Sequence, residues 1–374
     1  MFKLRNTLTG CAISFCLAIL SEPAPAQVNF TANDFVQPYS GGFHPSANLG
    51  EYASFSEEEL AMLAAGGVVS PASGGVGGVA GGGRVTGAGI KSLRPGLFEG
   101  FMEVAGYESK LPAFQYFEEL GMNDHTVIVG FPSPQHKDPT QYCPGIPSEL
   151  FANLYEPIWD GGANGTPIND NNYYALYLWK TVSLYKNYVR FWEIWNEPGF
   201  DYTGGLGFLP PGAPGNWWDN NPSPCDYKLR APIFHYVRLL RISWEVIKTL
   251  DPDAYVVVSG TGFPSFLDAI LRNTDNPING SISSEYPKKG GAYFDVMGFH
   301  AYPHFDGSLR QFSDDINDWI YFRHSDGAAQ GLLKTKNAFQ NVLSNYGYDG
   351  ATFPQKHWMI TEVNLPRKAF PDPS

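Results

Sequence analysis

Beyond residue 27 the chain alternates short apolar runs with longer amphipathic ones. The runs at 43–49, 90–94, 125–131, 190–197, 255–260, 293–302 and 357–363 are brief and rich in Val, Ile, Phe and Tyr. Turn-forming residues flank many of them, which predicts strands. Between them, 55–65, 111–120, 173–189, 231–250, 264–272 and 332–346 read as helices. In the longest, Phe234, Val237, Leu240, Trp244 and Ile247 recur at helical spacing. Ser56 and Glu59 form a capping-box pattern, and Pro264 suits a first helical turn. Strands alternating with helices predict an α/β fold with a parallel sheet and crossover helices. The expectation is a (β/α)8 barrel of the TIM type. Seven strands are found before Ser374. A closed barrel needs an eighth, so the sequence reads as a fragment or as a barrel lacking its last strand and helix.

Two features interrupt the rhythm. Residues 66–89 are a Gly, Ala, Val and Ser stretch, read as an insertion between the first helix and the second strand. It contains a formal dinucleotide fingerprint from Gly75 to Ala80, but no strand leads into it and glycines continue where a helix should start. The loops 132–172 and 199–230 are long, and both leave the carboxyl ends of predicted strands, where barrel enzymes place their sites. At the N-terminus, Lys3 and Arg5 precede an apolar run at 8–20 and a small-residue site at Ala24 and Ala26. This is the pattern of a signal peptide over 1–26, which implies a secreted or periplasmic protein whose single domain occupies 27–374. No later run is long and apolar enough to form a transmembrane helix.

Of four cysteines in 374 residues, Cys11 and Cys16 belong to the signal, leaving Cys143 and Cys225 to pair in an oxidising compartment. They lie in the two long loops, so a bridge would tie neighbouring rim segments together. The formal charge of −12, with no Lys/Arg run, argues against nucleic acid and anionic membrane surfaces as partners and leaves neutral polymers open. The chain is taken to be a monomer.

Two strand ends carry the candidate chemistry. Phe191 to Pro198 is an apolar run ending in Asn196-Glu197-Pro198. Proline cannot extend a central ladder, so the strand should stop just after Glu197 and leave a carboxylate at the rim. Trp358 to Asn364 likewise ends near a single acid, Glu362. Glycosidic bond cleavage needs two carboxyl groups, one protonated to assist the leaving oxygen and one ionised to attack carbon or activate water. A separation near ~5 Å implies retention and one of ~7–9 Å implies inversion. Glu193, four residues before Glu197, lies deeper in the barrel or faces a helix. Trp217 and Trp218 either stack on sugar rings or plug their loop onto the barrel. The absence of a His-Glu-x-x-His motif and of a Gly-x-Ser-x-Gly elbow argues against a zinc site and a serine hydrolase.

Asn-Glu-Pro, then a His-x-Tyr strand (His300, Tyr302), then a Thr-Glu strand, in that order over 43–364, resembles the clan A retaining glycoside hydrolases. Members similar to families 39 and 5 fit about equally well. The resemblance implies a (β/α)8 barrel with Glu197 as acid/base and Glu362 as nucleophile. It implies that Asn196 meets the sugar 2-hydroxyl, that Arg94 pairs with the nucleophile, and that His300 and Tyr302 line the site. It also implies a β-linked carbohydrate substrate and no metal or organic cofactor. The clan's strand-eight aromatic has no counterpart before Ser374. The rival readings are a barrel that binds carbohydrate without cleaving it and a different hydrolase or lyase using the same rim.

Overall fold

The computed structural model describes residues 28–42, 90–162, 165–303 and 307–363, together with three two-residue strands further toward the N-terminus. The predicted signal peptide, the helix expected at 55–65 and most of the Gly-rich stretch lie outside the described residues.

Among the described residues, five of the predicted strands form one curled parallel sheet, and the first two form a short parallel pair linked to it by a single bridge. Strand β1 (Ser46–Ala47) pairs with β2 (Ser92–Leu93). A parallel bridge from Gly96 to Ile128 leads from there to β3 (His125–Val129). Then come β4 (Val189–Ile194), β5 (Tyr255–Thr261), β6 (Val296–Ala301) and β7 (His357–Val363). From β3 to β7 these form one five-stranded sheet in sequence order, every pairing parallel. This is a barrel-like α/β fold. Its curvature brings distant strands together: the Thr126 hydroxyl of β3 lies 3.5 Å from Met359 Sδ of β7.

Helices α1 (Glu99–Ala105), α2 (Leu111–Glu119), α3 (Tyr173–Tyr185), α4 (Ile233–Leu250), α5 (Pro264–Arg272) and α6 (His324–Asn345) supply the connections. The Asn172 side chain caps α3 by accepting from the Ala175 N–H at 3.1 Å. Side chains alternate along each strand as the two-residue period requires. Trp192, Ile194, Val256, Val258, Met297 and Phe299 join the large core shared with the helices. Phe191, Tyr255, Val257 and Val296 turn the other way and form a second cluster with Tyr39 and Met359. By the same alternation Glu193 falls on the inner side, above Phe191.

Three differences from the sequence reading have physical causes. Helix α1 was not foreseen: it has no side-chain cap and only seven residues, Glu99 and Met102 being buried. Helix α6 starts at His324 rather than 332, because Gly327 and Gly331 interrupt the apolar repeat; both are buried, and a Cβ on Gly327 would lie 3.0 Å from the Ser308 carbonyl. A hairpin, Arg310–Ser313 with Asp318–Tyr321, occupies the segment after β6.

Cys143 and Cys225 form a disulfide that joins the loop after β3 to the loop after β4. The enclosed separation of 82 residues corresponds to about 4 kcal/mol in the chain-entropy account. Replacing both cysteines by serine is therefore expected to lower the unfolding free energy by about that amount in urea denaturation. An unchanged midpoint and slope would show that the two loops are held together without the bridge.

Candidate active site

The inner face of the sheet ends, at the carboxyl edge, in a cluster of charged side chains. Arg94 follows directly on β2 and is 5% exposed. Its Nε donates to Glu193 Oε2 at 2.6 Å and its Nη2 to Glu193 Oε1 at 3.0 Å, a two-pronged pairing across the sheet interior. Nη1 donates to Glu362 Oε1 at 2.8 Å, and Nη2 also reaches Asn196 Oδ1 at 2.9 Å. One guanidinium therefore links β2, β4, the turn after β4, and β7. Burial alone would weaken its charged form, but Glu193 and Glu362 more than compensate and raise its pKa. Glu193 is fully buried and also accepts the Gly260 N–H at 3.0 Å and the Ser259 hydroxyl at 3.3 Å. Of the alternatives left open for Glu193, the structure selects the barrel interior.

Two irregularities aim the carboxylates. Strand β4 stops at Ile194, three residues before the end predicted from Pro198, because the chain turns sharply at Trp195 and Glu197. Both have left-handed backbones, with φ of 75° and 49°. Side chains other than Gly, Asn and Asp rarely adopt this region, and such strain clusters at functional sites. On β7 the pairing with β6 skips one residue between Ile360 and Glu362, and this bulge sets Glu362 opposite His300.

His300 is buried and sits between the two acids. Its Nδ1 hydrogen-bonds with Glu197 Oε1 at 2.9 Å, and its Nε2 lies 3.6 Å from Glu362 Oε1. The ring presses against Gly260, where any Cβ would collide with it. The Tyr302 hydroxyl donates to Glu362 Oε2. Facing atoms of Glu197, His300 and Glu362 all lie within 4.8 Å of one another. Each could offer a ligand atom to a cation, but both Glu362 oxygens are already engaged by Arg94 and Tyr302.

The hydrogen bond from His300 is the main cause holding the Glu197 pKa below the ordinary carboxylate value; burial opposes it, and the charges of His300, Lys228 and Arg94 assist. Burial, then the bond to Glu362, pushes the Tyr302 phenol well up, so it stays a donor. Because Arg94 occupies the Asn196 amide oxygen, the amide nitrogen is the end left to donate.

Arg94, Asn196, Glu197, His300, Tyr302 and Glu362 thus converge on one place. Trp217 does not join them. It is completely buried, edge-on to Tyr227, Phe263 and Phe266, and offers no ring face to a sugar. Of the two roles left open for it, plugging the loop onto the barrel is the one observed. Trp218 is half-buried against the same core, and its carbonyl accepts from Arg272. Glu193 and Lys228 were not foreseen as part of the cluster. The alternation of β4 could have flagged Glu193; nothing local flags Lys228.

No protein-family profile and no curated protein matches the chain. Solved structures similar to it include fungal β-1,4-galactanases, at 15% identity over 74% of this chain and 63% of that one, with a TM-score of 0.38. An endo-laminarinase from Formosa Hel1_33_131 gives 13% over 86% and 65%, with 0.42. A β-glucosidase from Thermotoga maritima, in complex with glucoimidazole, gives 13% over 74% and 64%, with 0.38. The chain spans less than two thirds of the length of each.

If Arg94 neutralises Glu193, removing it strands a buried carboxylate. Arg94→Met is expected to cost about 3–5 kcal/mol of stability, and Arg94→Met with Glu193→Leu to recover a good part of it. Equal losses in the single and double variants, measured by denaturant unfolding, would rule out the coupling.

Proposed function

We propose that this protein is a retaining glycoside hydrolase acting on a β-linked poly- or oligosaccharide. The observation that carries the reading is the pair Glu197 and Glu362, on separate strand ends, with facing oxygens within 4.8 Å. A retaining mechanism requires carboxyl groups about 5 Å apart, since a wider gap leaves room for water in place of direct attack.

Glu362 is the nucleophile. Arg94 and Tyr302 donate to its two oxygens, which fixes its direction. Attack at the anomeric carbon forms a glycosyl ester and breaks the bond to the leaving oxygen, which takes its proton from the protonated fraction of Glu197; because the bond from His300 favours the ionised form, this step falls away as pH rises through the lowered Glu197 pKa. Glu197, then ionised, removes a proton from water as the water displaces Glu362, and the second inversion restores the original configuration. Forming the ester removes a negative charge from beside Glu197, which favours its ionised, basic form for the second step. His300 holds Glu197 in line, and the Asn196 amide nitrogen is placed to meet a sugar hydroxyl. The disulfide between the two rim loops fits an extracellular or periplasmic setting.

Glu362→Gly and Glu197→Ala are each expected to lower turnover of an unactivated β-glycoside by at least about two orders of magnitude. On a 2,4-dinitrophenyl β-glycoside, azide should restore turnover to both variants with opposite stereochemistry. The Glu362 variant should yield the α-glycosyl azide and the Glu197 variant the β-glycosyl azide. Wild-type rates in both variants would falsify the assignment, and exchanged azide products would reverse the two roles.

A further inference from the structure

We propose that Lys228, in the long loop after β4, is a positioning residue that clamps the turn carrying Asn196 and Glu197; this rests on the reading of Glu197 as the acid/base. The turn needs such a clamp. Asn196 lies between two left-handed residues, Trp195 and Glu197, so its peptide groups leave the β4 ladder and must find partners elsewhere. Lys228 Nζ donates to the Asn196 carbonyl at 3.0 Å. The Lys228 backbone is tied to the same turn one step on: its N–H donates to the Phe200 carbonyl at 3.0 Å, and the Phe200 N–H donates to the Glu197 carbonyl at 3.1 Å. An antiparallel bridge between Asp201 and Tyr227 continues the pairing.

The ammonium also reaches over Phe131, 6.0 Å from the ring centre, and Phe131 stacks on Trp195 at 4.5 Å. Lys228 is therefore bonded to the turn through the Asn196 carbonyl and lies close to the Phe131 ring that stacks on Trp195. Three residues earlier, Cys225 fixes the loop to its neighbour through the disulfide.

The charge of Lys228 acts on Glu197 as well. Burial pulls the Lys228 pKa down, while Glu197, Glu362 and Glu149 oppose this. Glu197 faces His300, Lys228 and Arg94 as cations or donors and Glu362 as the nearby acid. His300 dominates, and Lys228 contributes in the same direction. Removing the ammonium therefore raises the Glu197 pKa and moves the alkaline limb of activity, where the acid loses its proton, to higher pH.

The test uses the full chain with Lys228→Met and Lys228→Arg. The Glu197 carboxyl is titrated by 13C NMR in glutamate-labelled protein, its signal assigned by its loss in Glu197→Gln. In parallel, kcat/KM is measured against pH on phenyl and 2,4-dinitrophenyl β-glycosides of one sugar. In Lys228→Met the Glu197 titration is expected to move to higher pH. Below the alkaline limb, the phenyl glycoside, which needs a well-placed proton, should slow by about tenfold or more because the turn is no longer clamped, and the dinitrophenyl glycoside much less. Lys228→Arg should restore most of the loss. An unmoved titration, or equal slowing of both substrates without rescue by arginine, overturns the proposal. If the wild type cleaves no β-glycoside, the glycosidase reading falls, while the carboxyl titration still decides whether Lys228 acts on Glu197.

Discussion

The guanidinium of Arg94 is shared between Glu193, which is wholly buried, and Glu362, which is not, and the same group reaches the Asn196 amide. Burying such charges costs several kcal/mol per ion, and the cost is offset only where every lone pair and proton finds a partner. Glu193 meets that condition through Arg94, Ser259 and Gly260. The arrangement is therefore a weak source of stability and a strong source of geometry. With one donor fork fixed by Glu193, the remaining N–H groups point in set directions, and Glu362 and Asn196 are placed by them. The bulge in β7 and the left-handed turn after β4 bring each partner within reach of that fork.

Much of this was legible in the sequence because strand ends carry local signals. Asn196-Glu197-Pro198 marks the rim just beyond a strand, His300 and Tyr302 stand two apart at the end of another, and Glu362 closes an apolar run. Each of these can be read within a few residues. What could not be read depends on contacts across long separations or on backbone geometry without a residue signature. Alternation can put Glu193 inside the barrel, but not beside Arg94, which is 99 residues away. Lys228 sits in a loop whose path is decided by a disulfide and a short antiparallel bridge. The early end of β4 follows from φ reversals at Trp and Glu, residue types that do not announce them.

Trp217 shows the opposite failure. Adjacent tryptophans in a rim loop invite a sugar-stacking role, yet the ring fills a gap against Phe263 and Phe266, the ring of Phe263 lying at the start of α5. A large aromatic in a long loop has much apolar area to bury, and the barrel rim supplies a place for it. Phe131, by contrast, is half-buried and stacks on the buried Trp195, with Lys228 Nζ 6.0 Å from its ring centre.

The central claim is that Glu197 and Glu362 act together on one sugar from opposite sides, close enough for direct attack. Proton NMR of a β-glycoside during the first minutes of hydrolysis tests this most directly, because the anomeric signal of the first-formed sugar reports the geometry before mutarotation blurs it. The account predicts that the β-anomer appears first and the α-anomer grows in later. An α-anomer formed first would mean that water, not Glu362, attacks the anomeric carbon, and would contradict it.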